Sequence, residues 1–460
     1  MKCLFCFKPF SNKKVLNKTI KMKTLLTPLS LLFIIGVFSS CGSGSTTVSD
    51  NDNIEEIQST KPNVLLIIAD DMGLDATPGF SIGSVKPNTP NLQRMINTGV
   101  RFTNLWSYPT CTPTRSSILT GKYGFRTNVK KVDDVLATSE ISVQQFLKNH
   151  NSGYSNAVIG KWHLSRDANH PSQMGVDYYA GLLNGSVQSY TNWEFTQNGV
   201  TNTSNEYTTT KFTDLAIDWV KNQNQPWFLW LAYNAPHTPF HLPPSNLHSQ
   251  GNLPTDETSI NANPLPYYLA MIEAMDSEIG RLLDSMTETE KDNTIIIFIG
   301  DNGTPNQVVQ DYRSRRAKGT VYQGGVNVPM IISGKGVNRM NQSDDNLLNT
   351  VDLFATISDI AGTGMDQIND SKSFKELLSS SNSSLSRNFV YTELGKITGD
   401  DDVTIRNEKY KYIKFTDGSE ALYNLVNDFF ETSNLLNNTL TTEEEETLIN
   451  LKEILNNLKQ

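Results

Sequence analysis

The sequence has few cysteines, and most of them lie near its start. Of the four cysteines in 460 residues, Cys3, Cys6 and Cys41 fall within the first 41 positions. Cys111 is the one thiol in the rest of the chain, which excludes a disulfide within that part. A lone cysteine is either a small buried hydrophobic residue or a reactive group, and its neighbours have to decide between the two.

An excess of positive charge is also lacking. The chain has 39 lysines and arginines against 48 aspartates and glutamates, a net charge of −9. This balance argues against nucleic acid as a partner, so an anionic substrate has to be captured by local groups. With 37% hydrophobic and 19% charged residues, the composition is that of a globular protein with a sizeable core.

The start of the chain resembles an export signal. Residues 22–41 have a basic start, an apolar run, then small residues and a cysteine, which is the layout of a secretory signal. The apolar run, residues 29–38, is too short to span a bilayer comfortably. Met22 is a better translation start than Met1, because residues 1–21 would place a polar extension before a normal signal.

A lipid attachment site is expected at the end of this signal. Ser39-Ser40-Cys41 resembles a bacterial lipobox, although Phe38 stands where leucine is more usual. We therefore expect a signal segment at 1–41, a lipid on Cys41 and a flexible polar tether at 42–60. The protein would then be exported and anchored to a membrane, in the periplasm or at the cell surface, with plain secretion as the alternative.

Strand and helix patterns alternate along the middle of the chain. Residues 63–69 and 294–299 are continuous apolar runs, which are typical of strands buried on both faces of a parallel sheet. Further strands are predicted at 157–159, 227–232 and 329–333, and helices at about 210–222, 267–286 and 347–361. This alternation predicts an α/β fold, a large mostly parallel sheet covered by helices on both faces.

The pattern changes near residue 385. Residues 387–425 contain short runs typical of antiparallel strands, and 441–459 form an amphipathic helix with a glutamate-rich first turn after Thr441. We predict a main domain at 61–385 and a small C-terminal α+β subdomain at 386–460 that contains an antiparallel sheet.

Acidic and amide side chains follow the two most apolar strands. Asp70 and Asp71 end the first run, and Asp301 and Asn302 follow the second. Ligands bind beyond the carboxyl ends of strands in open α/β sheets. Clustered hard oxygen ligands suit calcium or magnesium better than zinc. The alternative is that these are ordinary turn residues after strands.

One segment carries the most specific signal. Cys111-Thr112-Pro113-Thr114-Arg115 resembles the Cys-x-Pro-x-Arg signature of the sulfatase family, and residues 116–121 continue that pattern. Four more segments, in the family's order, resemble its lysine and histidine motif, its second histidine, its metal motif and its second lysine: Gly160-Lys161-Trp162-His163-Leu164, Ala235-Pro236-His237, Asp301-Asn302-Gly303 and Lys318-Gly319. The resemblance extends over about residues 61–436.

This resemblance implies a fold, a cofactor and a metal. The fold would be alkaline-phosphatase-like, with the catalytic domain at 61–385. A formylglycine-generating maturation enzyme would oxidise Cys111 to formylglycine (3-oxoalanine), whose hydrated form attacks the sulfur. Calcium would be the metal, and its ligands would be Asp70, Asp71, residue 111, Asp301 and Asn302.

The resemblance also implies roles for the basic residues. Arg115 and Lys161 would orient and stabilise formylglycine, and His163 would be the base that expels sulfate. His237 and Lys318 would bind the sulfate and protonate the leaving oxygen. Taken singly, such a histidine is more often a packing residue and such a lysine a surface charge.

Some positions depart from the family pattern or leave alternatives open. Gln323-Gly324-Gly325 and Asn327 stand where the family often has Glu-Gly-Gly followed by arginine. A basic patch could bind a second sulfate or a uronate, or be a solvated loop: Arg313, Arg315 and Arg316. Four further residues could line a sugar subsite or belong to the core: Trp106, Tyr108, Trp193 and His241.

The functional hypothesis is a sulfuric ester hydrolase that removes sulfate from a sulfated oligosaccharide or polysaccharide outside the cytoplasm, in glycan scavenging. A phosphonate monoester or phosphodiester hydrolase of the same superfamily is the second hypothesis. A non-catalytic lipoprotein that binds sulfated glycans is the third.

Overall fold

Residues 61–313, 315–381 and 387–460 are described by the computed structural model. The predicted signal, lipid site and tether lie outside the described residues, as does the expected domain boundary near residue 385. Among the described residues no helix is both long and apolar enough to cross a membrane.

The elements follow one another in a largely alternating order. The strands are β1 (Asn63–Ala69), β2 (Gly99–Trp106), β3 (Ser155–Lys161), β4 (Tyr178–Leu182), β5 (Trp193–Gln197), β6 (Val200–Ser204), β7 (Trp227–Ala232), β8 (Thr294–Gly300), β9 (Asn327–Gly334), β10 (Gln342–Asp344), β11 (Leu348–Asn349), β12 (Gln367–Ile368), β13 (Ser371–Lys372), β14 (Val390–Leu394), β15 (Asp402–Arg406), β16 (Tyr410–Lys414) and β17 (Glu420–Asn424). The helices are α1 (Pro90–Thr98), α2 (Cys111–Thr120), α3 (Gly124–Thr127), α4 (Val143–Asn149), α5 (His170–Gln173), α6 (Thr208–Lys221), α7 (Glu257–Ala262), α8 (Leu265–Ser285), α9 (Glu288–Asp292), α10 (Gln323–Val326), α11 (Asp352–Ile360) and α12 (Thr442–Lys459).

The main sheet has eleven strands in the order β10-β2-β9-β8-β1-β7-β3-β4-β5-β6, with β11 paired to β2. Its centre is parallel, because β1 pairs with β7 and β8, and β3 pairs with β7 and β4, all in the same direction. β9 runs antiparallel to both β8 and β2, so β2 points the same way as β8. The carboxyl ends of β1, β2, β3, β7 and β8 therefore lie at one edge of the sheet.

Both faces of this sheet are covered by helices. Alternate side chains of β1 belong to different hydrophobic cores, with Leu66 in one and Leu65 in the other. The first core includes side chains of α2, α4 and α11, and the second includes those of α1, α6 and α8. Full burial of a leucine or isoleucine is worth about 1.5–3 kcal/mol, so apolar runs along the whole strand are stabilising only in such a sandwich. The predicted fold class is confirmed.

A second, antiparallel sheet lies near the C-terminus, with the strand order β14-β15-β16-β17. Leu451 and Leu455 of α12 pack in one cluster with Tyr391 and Ile405 of this sheet. The helix begins with a capping box in which Thr441 and Glu444 each accept a hydrogen bond from the other's backbone. The predicted antiparallel sheet and terminal helix are both confirmed.

The predicted helix at 347–361 was wrong in its first turn. Leu348 and Asn349 form β11 beside β2, and the helix begins only at Asp352. The Asp352 side chain accepts a hydrogen bond of 2.8 Å from the Asn349 backbone N–H, which ends the strand and starts the helix. A two-residue strand is too short to produce its own periodicity in the sequence.

Candidate active site

Four oxygen-bearing side chains meet where β1 and β8 end. In an extended strand, neighbouring side chains point to opposite faces. Asp71 leaves the strand with a φ of 75°, and its carboxylate comes close to that of Asp70. Asp301 Oδ1 accepts a hydrogen bond of 3.0 Å from the Asp71 backbone N–H, and Asn302 Nδ2 donates one of 2.8 Å to Asp71 Oδ1.

This group of side chains fits a hard divalent cation. Asp70, Asp71, Asp301 and Asn302 are all buried. Asp70 Oδ1 and Asn302 Oδ1 have no hydrogen-bond partner among the described residues. Buried oxygen atoms without a partner are costly, and an ion bound between them would remove that cost. Carboxylate and amide oxygens are the ligands that calcium and magnesium prefer.

The loop after Asn302 depends on glycine. A Cβ at Gly303 would lie 1.8 Å from the Gly324 carbonyl oxygen, so a side chain cannot be accommodated without moving the backbone. The Gly303 N–H also donates a hydrogen bond of 3.1 Å to the Gly325 carbonyl. This close approach requires glycine at position 303. The other two glycines have their own reasons, because a Cβ at Gly324 would lie 2.3 Å from the Arg316 carbonyl oxygen and one at Gly325 would lie 2.1 Å from that of Thr320.

Cys111 is the first residue of α2 and is buried at the same sheet edge. Its sulfur and carboxylate oxygens of Asp70 and Asp301 all lie within 4.8 Å of one another. Burial raises the pKa of the Cys111 thiol, and the lowering effect of the Lys161 charge does not offset it. The unmodified side chain is therefore a neutral thiol at pH 7.

Arg115 lies one helical turn after Cys111, on the same face of α2. Its guanidinium is fully buried and donates to the Lys161 carbonyl and to Asp301 Oδ2, both at 2.8 Å. The spacing of the Cys-x-Pro-x-Arg motif thus places a thiol and a positive charge side by side. Pro113 falls in the first turn of the helix, where its missing N–H costs no hydrogen bond.

Two lysines face the carboxylates. Lys161, the last residue of β3, forms a close ion pair with Asp70, and Lys318 Nζ lies 2.6 Å from Asp71. Burial alone would raise the pKa of Asp71, but the charges of Lys318, His237 and Lys161 hold it well below its usual range. Burial and repulsion from Asp70 raise the pKa of Asp301.

His163 contacts Cys111 on one side and a residue outside the predicted set on the other. Its Nδ1 lies 3.2 Å from Cys111 Sγ, and its Nε2 lies 2.9 Å from Asp133 Oδ1. Burial and the charges of Lys161 and Arg115 lower the pKa of His163 far below its usual value, so the imidazole is neutral. Asp133 lies in a loop, and no motif in the sequence indicates it.

Gly185 confines the other face of this imidazole. A Cβ at this position would lie 2.4 Å from ring atoms of His163. His163 itself has a φ of 56°, which is uncommon for residues other than glycine. The ring is therefore held between the Gly185 backbone, Thr112 and Asp133.

His237 lies beside the carboxylate of Asp71. Its Nδ1 is 2.8 Å from the Thr238 carbonyl oxygen and its Nε2 is 3.7 Å from Asp71 Oδ2. Burial lowers the pKa of His237 to about 4, against the raising effect of Asp71. The peptide bonds before Pro236 and before Pro239 are both cis.

The structure brings together all of the predicted catalytic and metal residues at one edge, but not the other candidates. Arg316 packs its guanidinium 4.3 Å from the Tyr322 ring centroid and donates to the Glu431 carbonyl, so it supports the fold. Arg313 and Arg315 are exposed. Trp106 and Tyr108 are fully buried core residues. The remaining two candidates, Trp193 and His241, pack against aromatic rings of Phe212 and Tyr190.

The two departures from the family pattern lie inside the fold. Gln323 accepts a hydrogen bond of 3.0 Å from Trp106 Nε1, and its backbone N–H donates to Glu431. Asn327 donates a hydrogen bond of 3.2 Å to the Thr103 carbonyl. Both side chains are buried and serve packing between the main sheet and its neighbouring loops.

Comparison with known proteins agrees with this geometry. The family model described as Sulfatase matches residues 62–363, and the model described as N-sulphoglucosamine sulphohydrolase, C-terminal, matches residues 316–460. The chain belongs to the sulfatase family. It is an enzyme of that family, and the activity that its membership supports is hydrolysis of sulfate esters.

Relatives of this sulfatase come from bacteria and animals. It is 26% identical to the uncharacterized sulfatase YdeN of Escherichia coli, over 75% of this chain and 72% of that protein. It is 26% identical to a sulfatase of Formosa agariphila, over 82% and 84% of the two chains. Human arylsulfatase G is 28% identical, over 75% and 72%.

Solved structures share the fold of this sulfatase. Ps i-CgsB superposes with a TM-score of 0.75 at 22% identity, over 87% of this chain and 93% of the other. The protein BT4656, solved with its substrate D-glucosamine-2-N,6-O-disulfate, superposes with a TM-score of 0.72 at 21% identity, over 87% and 98%. The alkaline-phosphatase-like architecture is thereby confirmed.

Proposed function

We propose that this sulfatase removes sulfate from a sulfated carbohydrate, with formylglycine at position 111 and a calcium ion held beside it. The observation that carries the proposal is the meeting of Cys111 with three buried carboxylates and three buried or half-buried cations at one sheet edge. A motif cysteine with only a structural role would not need charged groups of both signs around it.

The ligands proposed for calcium are Asp70, Asp71, Asp301, Asn302 and residue 111. The two buried oxygens without partners, on Asp70 and Asn302, support this assignment. When bound, calcium would neutralise the carboxylates and polarise a sulfate oxygen. Oxygen donors predominate in this set, and the absence of a histidine or cysteine pair argues against a zinc site of the usual kind.

The side chains around residue 111 can position and deprotonate an oxygen there. The buried charges of Arg115 and Lys161 favour negative charge on that oxygen, because a low-dielectric site strengthens the interaction. His163 Nε2–H donates to Asp133, which leaves Nδ1 unprotonated and aimed at residue 111. His163 Nδ1 is therefore the atom that accepts a proton when sulfate is expelled.

Lys318 and His237 both lie beside Asp71, which supports their assignment to the sulfate and the leaving oxygen. Lys318 Nζ is 2.6 Å from Asp71 and carries hydrogens in its ordinary charged state. His237 Nδ1 donates to the Thr238 carbonyl, so its Nε2 carries a proton only in the imidazolium form. We assign sulfate binding and protonation of the leaving alcohol to this pair.

The carbohydrate part of the proposal draws support from similar proteins. Ps i-CgsB has been solved with k-i-k-neocarrahexaose, and a relative 28% identical is a human N-acetylgalactosamine-6-sulfatase. We further propose that a formylglycine-generating enzyme matures the protein, and that export and a lipid on Cys41 anchor it to a membrane. These last steps concern the signal segment, which lies outside the described residues.

A comparison of two chromogenic esters tests the proposed reaction. We expect the purified, matured protein to release the phenol from an aryl sulfate much faster than from an aryl phosphonate monoester. Cys111→Ala should abolish turnover while the protein remains folded, and Asp284→Asn, at an exposed surface position, should leave turnover unchanged. A phosphonate preference would favour the second hypothesis, and binding of sulfated glycan without any turnover would favour the third.

A further inference from the structure

A groove passes the active site on the side of the two histidines. It consists of three adjoining cavities of 740, 210 and 300 Å3. The first includes Thr238, next to His237, and the third includes His163 itself. Gln188 lines the first and second cavities, and Asn184 lines the second and third. The three cavities therefore adjoin one another, and together they reach His163 and the residue that follows His237.

The lining of this groove is acidic. It contains five carboxylates and one guanidinium: Asp133, Asp134, Asp167, Glu194, Glu257 and Arg166. Arg166 lies 3.7 Å from Asp133, and Lys131 Nζ lies 2.5 Å from Asp134, so those charges are offset. Asp167, Glu194 and Glu257 have no ion-pair partner among the described residues, and all three are exposed.

The other groove residues suit a neutral sugar. Amide side chains of Gln188, Asn261 and Gln307 and the hydroxyl of Thr238 line the largest cavity and offer donors and acceptors to sugar hydroxyls. Phe240 adds an apolar surface there. A uronate or a second sulfate in the groove would instead lie beside carboxylates of the same sign, which would repel it.

We propose that the groove selects an isolated sulfate on an otherwise uncharged sugar chain and disfavours substrates whose neighbouring residues carry uronates or further sulfates. This inference rests on the proposed function and names its substrate class. Arg313 and Arg315, the residues that could favour an anionic neighbour, are absent from the described lining of the groove.

Three matched disaccharides test the inference. The first carries one sulfate on a neutral hexose linked to a second neutral hexose. In the second the neighbouring hexose is oxidised to a uronate, and in the third it carries a second sulfate. At low salt, kcat/KM for sulfate release should be about tenfold higher for the neutral disaccharide than for either of the others. Salt at about 0.5 M should reduce that ratio, because it screens the charges.

A variant with the three unpaired carboxylates neutralised provides the decisive comparison: Asp167→Asn, Glu194→Gln and Glu257→Gln. We expect it to narrow the neutral-to-anionic ratio by roughly three- to tenfold at low salt. The matched control removes three exposed carboxylates around the amino end of β8, at the opposite sheet edge, and should leave the ratio unchanged: Asp284→Asn, Glu288→Gln and Asp292→Asn.

An aryl sulfate without a sugar separates the two levels of the argument. Cleavage of the aryl sulfate shows that the proposed chemistry stands. The groove inference is then overturned by any of three results: the anionic disaccharides are preferred, the neutral-to-anionic ratio of kcat/KM is the same in the triple variant as in the wild type, or no disaccharide reacts. If the aryl sulfate is not cleaved by matured protein, the proposed function itself fails.

Discussion

At the scale of residues, the spacing within a motif is enough to predict which side chains lie together. Cys111 and Arg115 are four positions apart in a helix, so one turn brings the thiol and the guanidinium to the same face. Asp70 and Asp301 follow buried strands, and the sequence therefore predicted their common edge. Asp133 escaped prediction because its contact with His163 joins two loops 30 positions apart and depends on no repeated pattern.

The first prediction concerns Asp133. Because its carboxylate accepts from His163 Nε2, Asp133→Asn should let the imidazole adopt the wrong tautomer and lower kcat about tenfold or more, with little change in KM. Steady-state kinetics on an aryl sulfate would measure the split. Arg166→Gln removes the other neighbour of Asp133 and should have a small effect; equal losses in both variants would argue against a positioning role.

Gly185 provides a second test of the same imidazole. Gly185→Ala would place a methyl group 2.4 Å from the His163 ring, so the ring or the loop has to move. We expect kcat to fall about a hundredfold, since small displacements at a reacting centre are costly. Ser186→Ala, at the next position, adds no atoms and is the control. Unchanged kcat in Gly185→Ala, with folding intact, would contradict the described placement of His163.

At the scale of elements, the alternation of strands and helices could be predicted from the sequence, but the direction of every strand could not. The apolar runs that form β1, β7 and β8 are continuous, and this pattern predicts strands that are buried on both faces of the sheet. β9 has the same apolar character, yet runs antiparallel between β8 and β2. Composition cannot distinguish the two directions, because a strand buried on both faces has the same pattern in either.

A buried ion pair tests how the C-terminal sheet is held. Lys411 of β16 and Glu431 lie 2.6 Å apart, and both are buried. Lys411→Met should lower the free energy of unfolding by about 3–5 kcal/mol, because Glu431 is left as an unpaired buried charge. Adding Glu431→Gln should restore much of that loss, since the amide keeps an acceptor for the Gln323 N–H.

The control for this experiment lies two residues earlier. Lys409 forms an exposed pair with Glu443, also at 2.6 Å, and Lys409→Met should cost no more than about 1 kcal/mol. Denaturant unfolding of the three variants gives the comparison. Similar costs for Lys409→Met and Lys411→Met would show that burial is not what makes the second pair important.

For the whole molecule, stability and activity should be linked through the metal site. Asp70, Asp71 and Asp301 directly follow two neighbouring core strands, so an ion between them would link the ends of those strands. Chelation should lower both Tm and activity, and calcium at about one hundred times its Kd should return roughly 2.7 kcal/mol of stability. Asn302→Ala should weaken this gain, and a variant that gains as much as the wild type would exclude Asn302 as a ligand.

The whole-molecule arrangement was the part that sequence motifs predicted least. Separate segments indicated each proposed catalytic residue, but they did not indicate the groove beside them. Most of its lining comes from loops without regular periodicity, such as the one between β4 and β5. The acidic character of that groove depends on which exposed carboxylates lack partners, and such pairings follow from the folded chain alone.

The most direct test of the central claim is the mass of the tryptic peptide from Phe102 to Arg115. In native, fully active protein we expect this peptide to be lighter than the encoded one by the difference between a thiol side chain and an aldehyde, and Cys111→Ala should yield an inactive protein with the unmodified alanine peptide. A peptide that retains the thiol throughout, in protein that hydrolyses sulfate esters at full rate, would contradict the account.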